Sequence, residues 1–143
     1  MRSVDVLGVN VSETSLDHAV DLISKWIESR DSQYVCVTGV HGVMESQFDE
    51  ELRRIHNAAG LVVPDGAPVL WAGRIAGLSA MKRVRGPDLL PAIMEQANSH
   101  QWRCFFYGGA EGVAGKLAFH NCLSLSVLPA QLESAPSRFL QEG

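Results

Sequence analysis

An aspartate set between a buried strand and a helix start is placed for acid–base chemistry, and Pro64-Asp65-Gly66 is such a place. Leu61-Val62-Val63 reads as a short apolar strand, and Pro68 suits the first turn of a following helix. In an open α/β sheet the carboxyl ends of the strands border the ligand crevice. A carboxylate there can take a proton from an attacking hydroxyl. The same residues also describe a tight turn with Asp65 as a helix N-cap. Residue types alone leave both readings open.

Three other groupings could meet an anion. Arg83 and Arg85 lie in Lys82-Arg83-Val84-Arg85, just before the helix start Gly86-Pro87-Asp88. Two guanidinium groups beside free backbone amides suit a diphosphate, and a solvated basic loop is the competing reading. Gly108-Gly109-Ala110-Glu111-Gly112 follows a strand-like run and precedes a helix, the form of a phosphate cradle or of a plain turn. His41, between Gly39 and Gly42, is either a ligand donor or acid/base, or a polar loop residue. No glycines have GxGxxG spacing. Gly115-Lys116 is followed by Leu117, with Ala110 where a P-loop needs glycine, so both nucleotide fingerprints fail.

Metals and redox cofactors find no support. There is no Asp-x-Asp pair, and His18, His56, His100 and His120 share no metal spacing. Cys36, Cys104 and Cys122 lack CxxC spacing and read as small apolar thiols, Cys36 and Cys104 inside buried strands. Neither a metal nor a cofactor is expected.

The elements that must position these groups alternate. Val4 to Val11 predicts a strand or hairpin arm kinked at Gly8-Val9-Asn10. Thr14-Ser15-Leu16-Asp17 has capping-box form, opening a helix that runs to about Arg30 with Leu16, Ala19, Val20, Ile23, Trp26 and Ile27 on one face. Tyr34 to Val37 is a buried-type strand ending in the loop Thr38 to Gly42. A second helix is expected to turn Val43, Met44, Phe48, Leu52 and Ile55 inward and to be capped by Gly60. After the Leu61–Val63 strand come a helix to about Gly77, another from Gly86 to His100, a strand from Arg103 to Tyr107 and a helix from Ala110 to Phe119. Alternation of this kind implies right-handed βαβ units: an α/β, Rossmann-like, mostly parallel sheet with helices on both faces.

At 143 residues, 46% of them hydrophobic, the chain has material for one ordinary core. A net charge of -4 and a pI near 5.7 argue against a nucleic-acid binder. There is no signal-type segment and no 18-residue apolar run, so the sequence reads as a soluble, cytoplasmic chain.

Taken in order, Thr38 with its Gly/His loop, Pro64-Asp65-Gly66, Arg83-Val84-Arg85-Gly86-Pro87-Asp88-Leu89 and Phe106-Tyr107-Gly108-Gly109 resemble the WecG/TagA/CpsF glycosyltransferase family. The resemblance runs from about Val4 to Leu117. It implies inverting transfer of an N-acetylmannosamine-type sugar from a UDP donor to a polyprenyl-diphosphate-linked acceptor, without a metal. The setting it implies is bacterial surface polysaccharide or teichoic acid synthesis, with peripheral contact at the inner face of the cytoplasmic membrane. It puts the catalytic base on Asp65 and substrate binding on Thr38, Arg83, Gly86 and Asp88. His41, Arg85, Gly108 and Gly109 join the substrate-binding set from their own positions.

Two departures qualify the resemblance. Val40 stands where the family has asparagine, with His41 next to it. After about residue 118 the pattern stops. The domain reading is therefore a glycosyltransferase-like part over 1–118 and a divergent, poorly structured tail over 119–143, with truncation or a changed reading frame as the cause. Uncovered sheet edges and apolar surface would then favour self-association. The alternative function is a nucleotide-sugar-binding remnant without turnover. A nucleotide-binding redox domain is disfavoured by the missing GxGxxG.

Overall fold

A computed structural model describes residues 1–106, 110, 112, 113 and 115–117. The chain divides into two compact units, residues 1–92 and residues 93–143. The predicted Gly108-Gly109 turn, residues 111, 114, 118 and 119 of the following helix and the tail over 119–143 lie outside the described residues. Among the described residues, the first unit carries most of the regular structure and the core cluster.

That unit opens with a hairpin, β1 (Ser3–Val6) and β2 (Val9–Ser12), paired antiparallel. Leu7 and Gly8 form its turn with φ of 53° and 84°, the two positive values that a two-residue primed turn requires. The helix α1 (Leu16–Ser29) follows. Its cap is Ser15, one residue beyond the predicted Thr14: the Ser15 hydroxyl accepts from the His18 N–H at 3.3 Å. Thr14 is instead buried, its hydroxyl 3.2 Å from His18 Nδ1.

Strand β3 (Val35–Thr38) pairs parallel with β4 (Leu61–Pro64), and all four β4 residues are buried. β4 also lies beside β2, where the Val62 N–H donates to Ser12 Oγ at 3.1 Å. The fold is α/β, with one parallel pair and one antiparallel hairpin among the described residues. Val4, Val9, Val11, Val43, Val62, Val69, Leu78 and Met81 make the core cluster. Cys36 and Cys104 are only half-buried, less than expected, and burial pushes both thiols upward.

The single helix expected between β3 and β4 is two helices. α2 (Val40–Glu45) ends at Ser46, and α3 (Glu50–Ala58) starts afresh from Asp49, whose side chain accepts from the Leu52 N–H at 3.0 Å. The break reassigns the inward face. Val43 is buried, Met44 and Ile55 are exposed, and Phe48 is 90% exposed. His56 takes the buried place instead, with Nδ1 2.9 Å from the Leu52 carbonyl and 3.3 Å from Ser46 Oγ. Gly60 does not cap α3. Ala59 does so in extended conformation, and a Cβ on Gly60 would meet Gln33 and Trp26.

α4 (Ala67–Ile75) packs on β1, with Pro68 in its first turn, and ends at Gly77 with φ of 79°. The segment that follows is tied to the hairpin's exit: the Ala80 N–H donates to Glu13 Oε1 at 3.1 Å and the Lys82 N–H to the Thr14 carbonyl at 2.8 Å. α5 (Gly86–Ser99) begins in the first unit and ends in the second. In the second unit the Trp102 N–H donates to the Ala97 carbonyl at 2.8 Å, and the His100 and Trp102 rings stack 5.2 Å apart. No strand forms over Arg103–Phe106, contrary to expectation.

Candidate active site at the carboxyl ends of the parallel strands

β3 and β4 run in the same direction, so Thr38 and Pro64 end side by side. The ladder continues one step further, where the Asp65 N–H donates to the Thr38 carbonyl at 2.9 Å. The Asp65 side chain, 30% exposed, emerges just beyond the buried strand. Gly66 then turns the chain into α4 with φ of 129°, a value that suits glycine.

Arg83 reaches this carboxylate, with Nη2 3.5 Å from Asp65 Oδ1. It is carried there by backbone, since the neighbouring Val84 N–H donates to the Pro64 carbonyl at 2.9 Å and the Val84 side chain is buried. This link has no signature in the sequence, because backbone pairing of an irregular segment leaves no residue pattern.

Thr38 contributes a different property. It is buried, and its Oγ1 has no hydrogen-bond partner among the described residues. A buried hydroxyl without a partner carries a desolvation cost of about 1–3 kcal/mol. Thr38 is joined to Asp65 through the backbone bond between their strand ends.

The remaining predicted residues lie in two other arrangements. Arg85 and Asp88 form a two-pronged pair, Nε to Oδ2 at 2.7 Å and Nη2 to Oδ1 at 2.9 Å. That hydrogen bond lowers the Asp88 carboxyl below its usual range and raises the Arg85 guanidinium. Arg85 is thereby occupied by Asp88. Gly86 starts α5, and a Cβ there would lie 3.9 Å from Val37 Cγ1. His41 is in the first turn of α2 rather than in a loop. Its side chain is 89% exposed and its Nε2 is 3.1 Å from Glu45 Oε1. Gly108 and Gly109 fall outside the described residues. No cluster of three metal-ligating side chains occurs among the described residues.

Comparison with known proteins decides the family. Residues 4–123 match the family described as Glycosyl transferase WecG/TagA/CpsF. The chain belongs to that family. A relative from Bacillus spizizenii (strain ATCC 23059 / NRRL B-14472 / W23) is 28% identical over 69 residues. That protein is named N-acetylglucosaminyldiphosphoundecaprenol N-acetyl-beta-D-mannosaminyltransferase. The match covers 48% of this chain and 27% of the relative, so the chain aligns with about a quarter of that protein's length. No helix among the described residues is long and apolar enough to cross a membrane.

Proposed function

We propose that this chain bears the base and part of the donor site of an inverting N-acetylmannosaminyltransferase. The donor is a UDP-sugar and the acceptor a polyprenyl-diphosphate-linked sugar. The observation that carries this reading is the meeting of Thr38, Asp65 and Arg83 at the carboxyl ends of β3 and β4. Family membership and the relative's name supply the substrate class.

In this mechanism the Asp65 carboxylate takes the proton of the acceptor hydroxyl. The acceptor oxygen attacks the anomeric carbon from the face opposite the leaving group. The bond from that carbon to the diphosphate oxygen breaks, and UDP departs with the electron pair. Arg83 faces the negative charge that grows on the diphosphate. Thr38 Oγ1 gains its missing hydrogen bond from a polar group of the donor. Arg85 and Asp88 hold the start of α5 next to Arg83 and steady the loop that carries it. Gly86 gives the donor close access to the first amides of α5. His41, exposed on α2 next to Val40, contacts substrate where the family has its asparagine. Contact with the membrane face follows from the lipid acceptor.

The test is an assay of UDP-N-acetylmannosamine with a polyprenyl-diphosphate-linked N-acetylglucosamine acceptor. Transfer with inversion supports the reading. UDP binding without any transfer makes the chain a binding module, and neither binding nor transfer refutes the reading outright.

A further inference from the structure

Gly39 stands against the Asp65 peptide more closely than any side chain would allow. Its dihedrals, φ of -103° and ψ of -170°, are open to all residues, so torsion does not demand glycine there. Space does. A Cβ on Gly39 would lie 2.6 Å from the Asp65 carbonyl oxygen and 3.7 Å from the carbonyl carbon. The obstacle is backbone, which cannot swing aside as a flexible side chain does.

The Asp65 peptide has little freedom to yield. Its N–H is bonded to the Thr38 carbonyl, and the preceding Pro64 carbonyl accepts from Val84. On the other side, Gly66 already holds an unusual torsion. Gly42 provides the contrast within the same short helix. A Cβ there would make ordinary contacts with side chains only, Thr38 Cγ2 at 3.5 Å and His56 Nε2 at 3.6 Å.

We propose that Gly39 is a positioning residue for Asp65: its missing side chain lets the β3 exit close on the Asp65 peptide and so aims the carboxylate. This rests on the reading of Asp65 as the base. A methyl at position 39 displaces the Asp65 carbonyl, strains the hydrogen bond to Thr38 and misdirects the carboxylate relative to Arg83.

The experiment compares Gly39→Ala and Gly42→Ala in the full chain, with circular dichroism to verify folding. Hydrogen exchange of the Asp65 amide is read by selective isotope labelling, alongside transferase kinetics. In folded Gly39→Ala the Asp65 amide should exchange about fivefold faster or more, as expected for one weakened hydrogen bond. The kcat should fall by about 100-fold with KM for the UDP-sugar unchanged, the scale of a small misplacement of a reacting group. Gly42→Ala should match the parent in both. A folded Gly39→Ala with parental exchange and kcat would overturn the proposal. So would a Gly39→Ala chain that fails to fold beside a folded Gly42→Ala, since the glycine would then serve folding and not the site. The exchange measurement needs no turnover, whereas failure of the base reading would appear as undiminished transfer by Asp65→Asn.

Discussion

Arg83 Nη2 and Asp65 Oδ1 face each other at 3.5 Å across a sequence separation of eighteen residues. Both side chains are partly open to solvent, so the pair is worth at most about 1 kcal/mol and salt weakens it. Its value lies in geometry. On the proposed reading it brings a cation for the leaving group and a carboxylate for the acceptor together, and both side chains stay partly exposed.

Asp65→Asn keeps the size of the side chain and removes its basicity. Transfer should be abolished while UDP affinity, read by calorimetry, stays near that of the parent. Turnover at the parental rate would remove Asp65 from the mechanism.

Arg83→Ala withdraws the cation and leaves the Val84–Pro64 backbone bond in place. UDP binding should weaken by about 1.5–3 kcal/mol, the scale of a hydrogen bond to a charged group. Binding by the parent should fall with added salt, and by the variant less so. Equal UDP affinity in the two proteins would leave Arg83 an ordinary surface residue.

The Arg85–Asp88 pair gives a pH signature. The folded chain holds the Asp88 carboxyl below its ordinary value, so the pair's contribution is present above that value. It is lost as pH falls through the lower, folded value. Arg85 stays charged throughout, so acid acts through Asp88 alone. Asp88→Asn should therefore be slightly less stable than the parent at neutral pH, with the two urea midpoints converging in acid. A gap that widened on acidification would contradict the pairing.

Two apolar residues should respond oppositely to truncation. Leu61, fully buried at the start of β4, should cost about 2–5 kcal/mol as Leu61→Ala. Phe48→Ala, despite the larger side chain, should change stability by no more than about 0.5 kcal/mol, because Phe48 stands in solvent. Denaturant titration of both variants would check this, and a large loss at Phe48 would mean that its ring has a partner.

Much of the fold was legible because short strands and their ends leave strong local marks. The run Leu61-Val62-Val63, the glycine after Asp65 and the proline at the head of α4 each match what the backbone does there. The helix α1 was placed within a residue, and its cap slipped only because Thr14 and Ser15 are both capable. The broken helix between β3 and β4 has a definite source. Apolar spacing carried one helix through Gln47-Phe48-Asp49, where Asp49 caps a new helix and Gln47 donates to the Leu7 carbonyl at 2.7 Å. Side chains bonding across the fold do not show in local periodicity, and neither does a histidine buried by two polar partners. At the site, motif order singled out Asp65 and Arg83. That Arg85 would be taken by Asp88 follows from loop geometry that no residue pattern encodes.

The ties from Glu13 and Thr14 to residues 80 and 82 span most of the first unit, the Glu13–Ala80 bond alone bridging 67 positions. Closing so long a loop is entropically costly, and contacts of that range slow the search for the native state. The segment that carries Arg83 is thus held from two sides, by Glu13 and Thr14 at residues 80 and 82 and by Pro64 at Val84. Loss of the Glu13 and Thr14 ties would leave that segment anchored at Val84 alone. The aim of Arg83 at Asp65 can therefore be loosened from the amino-terminal side without parting the β3–β4 ladder.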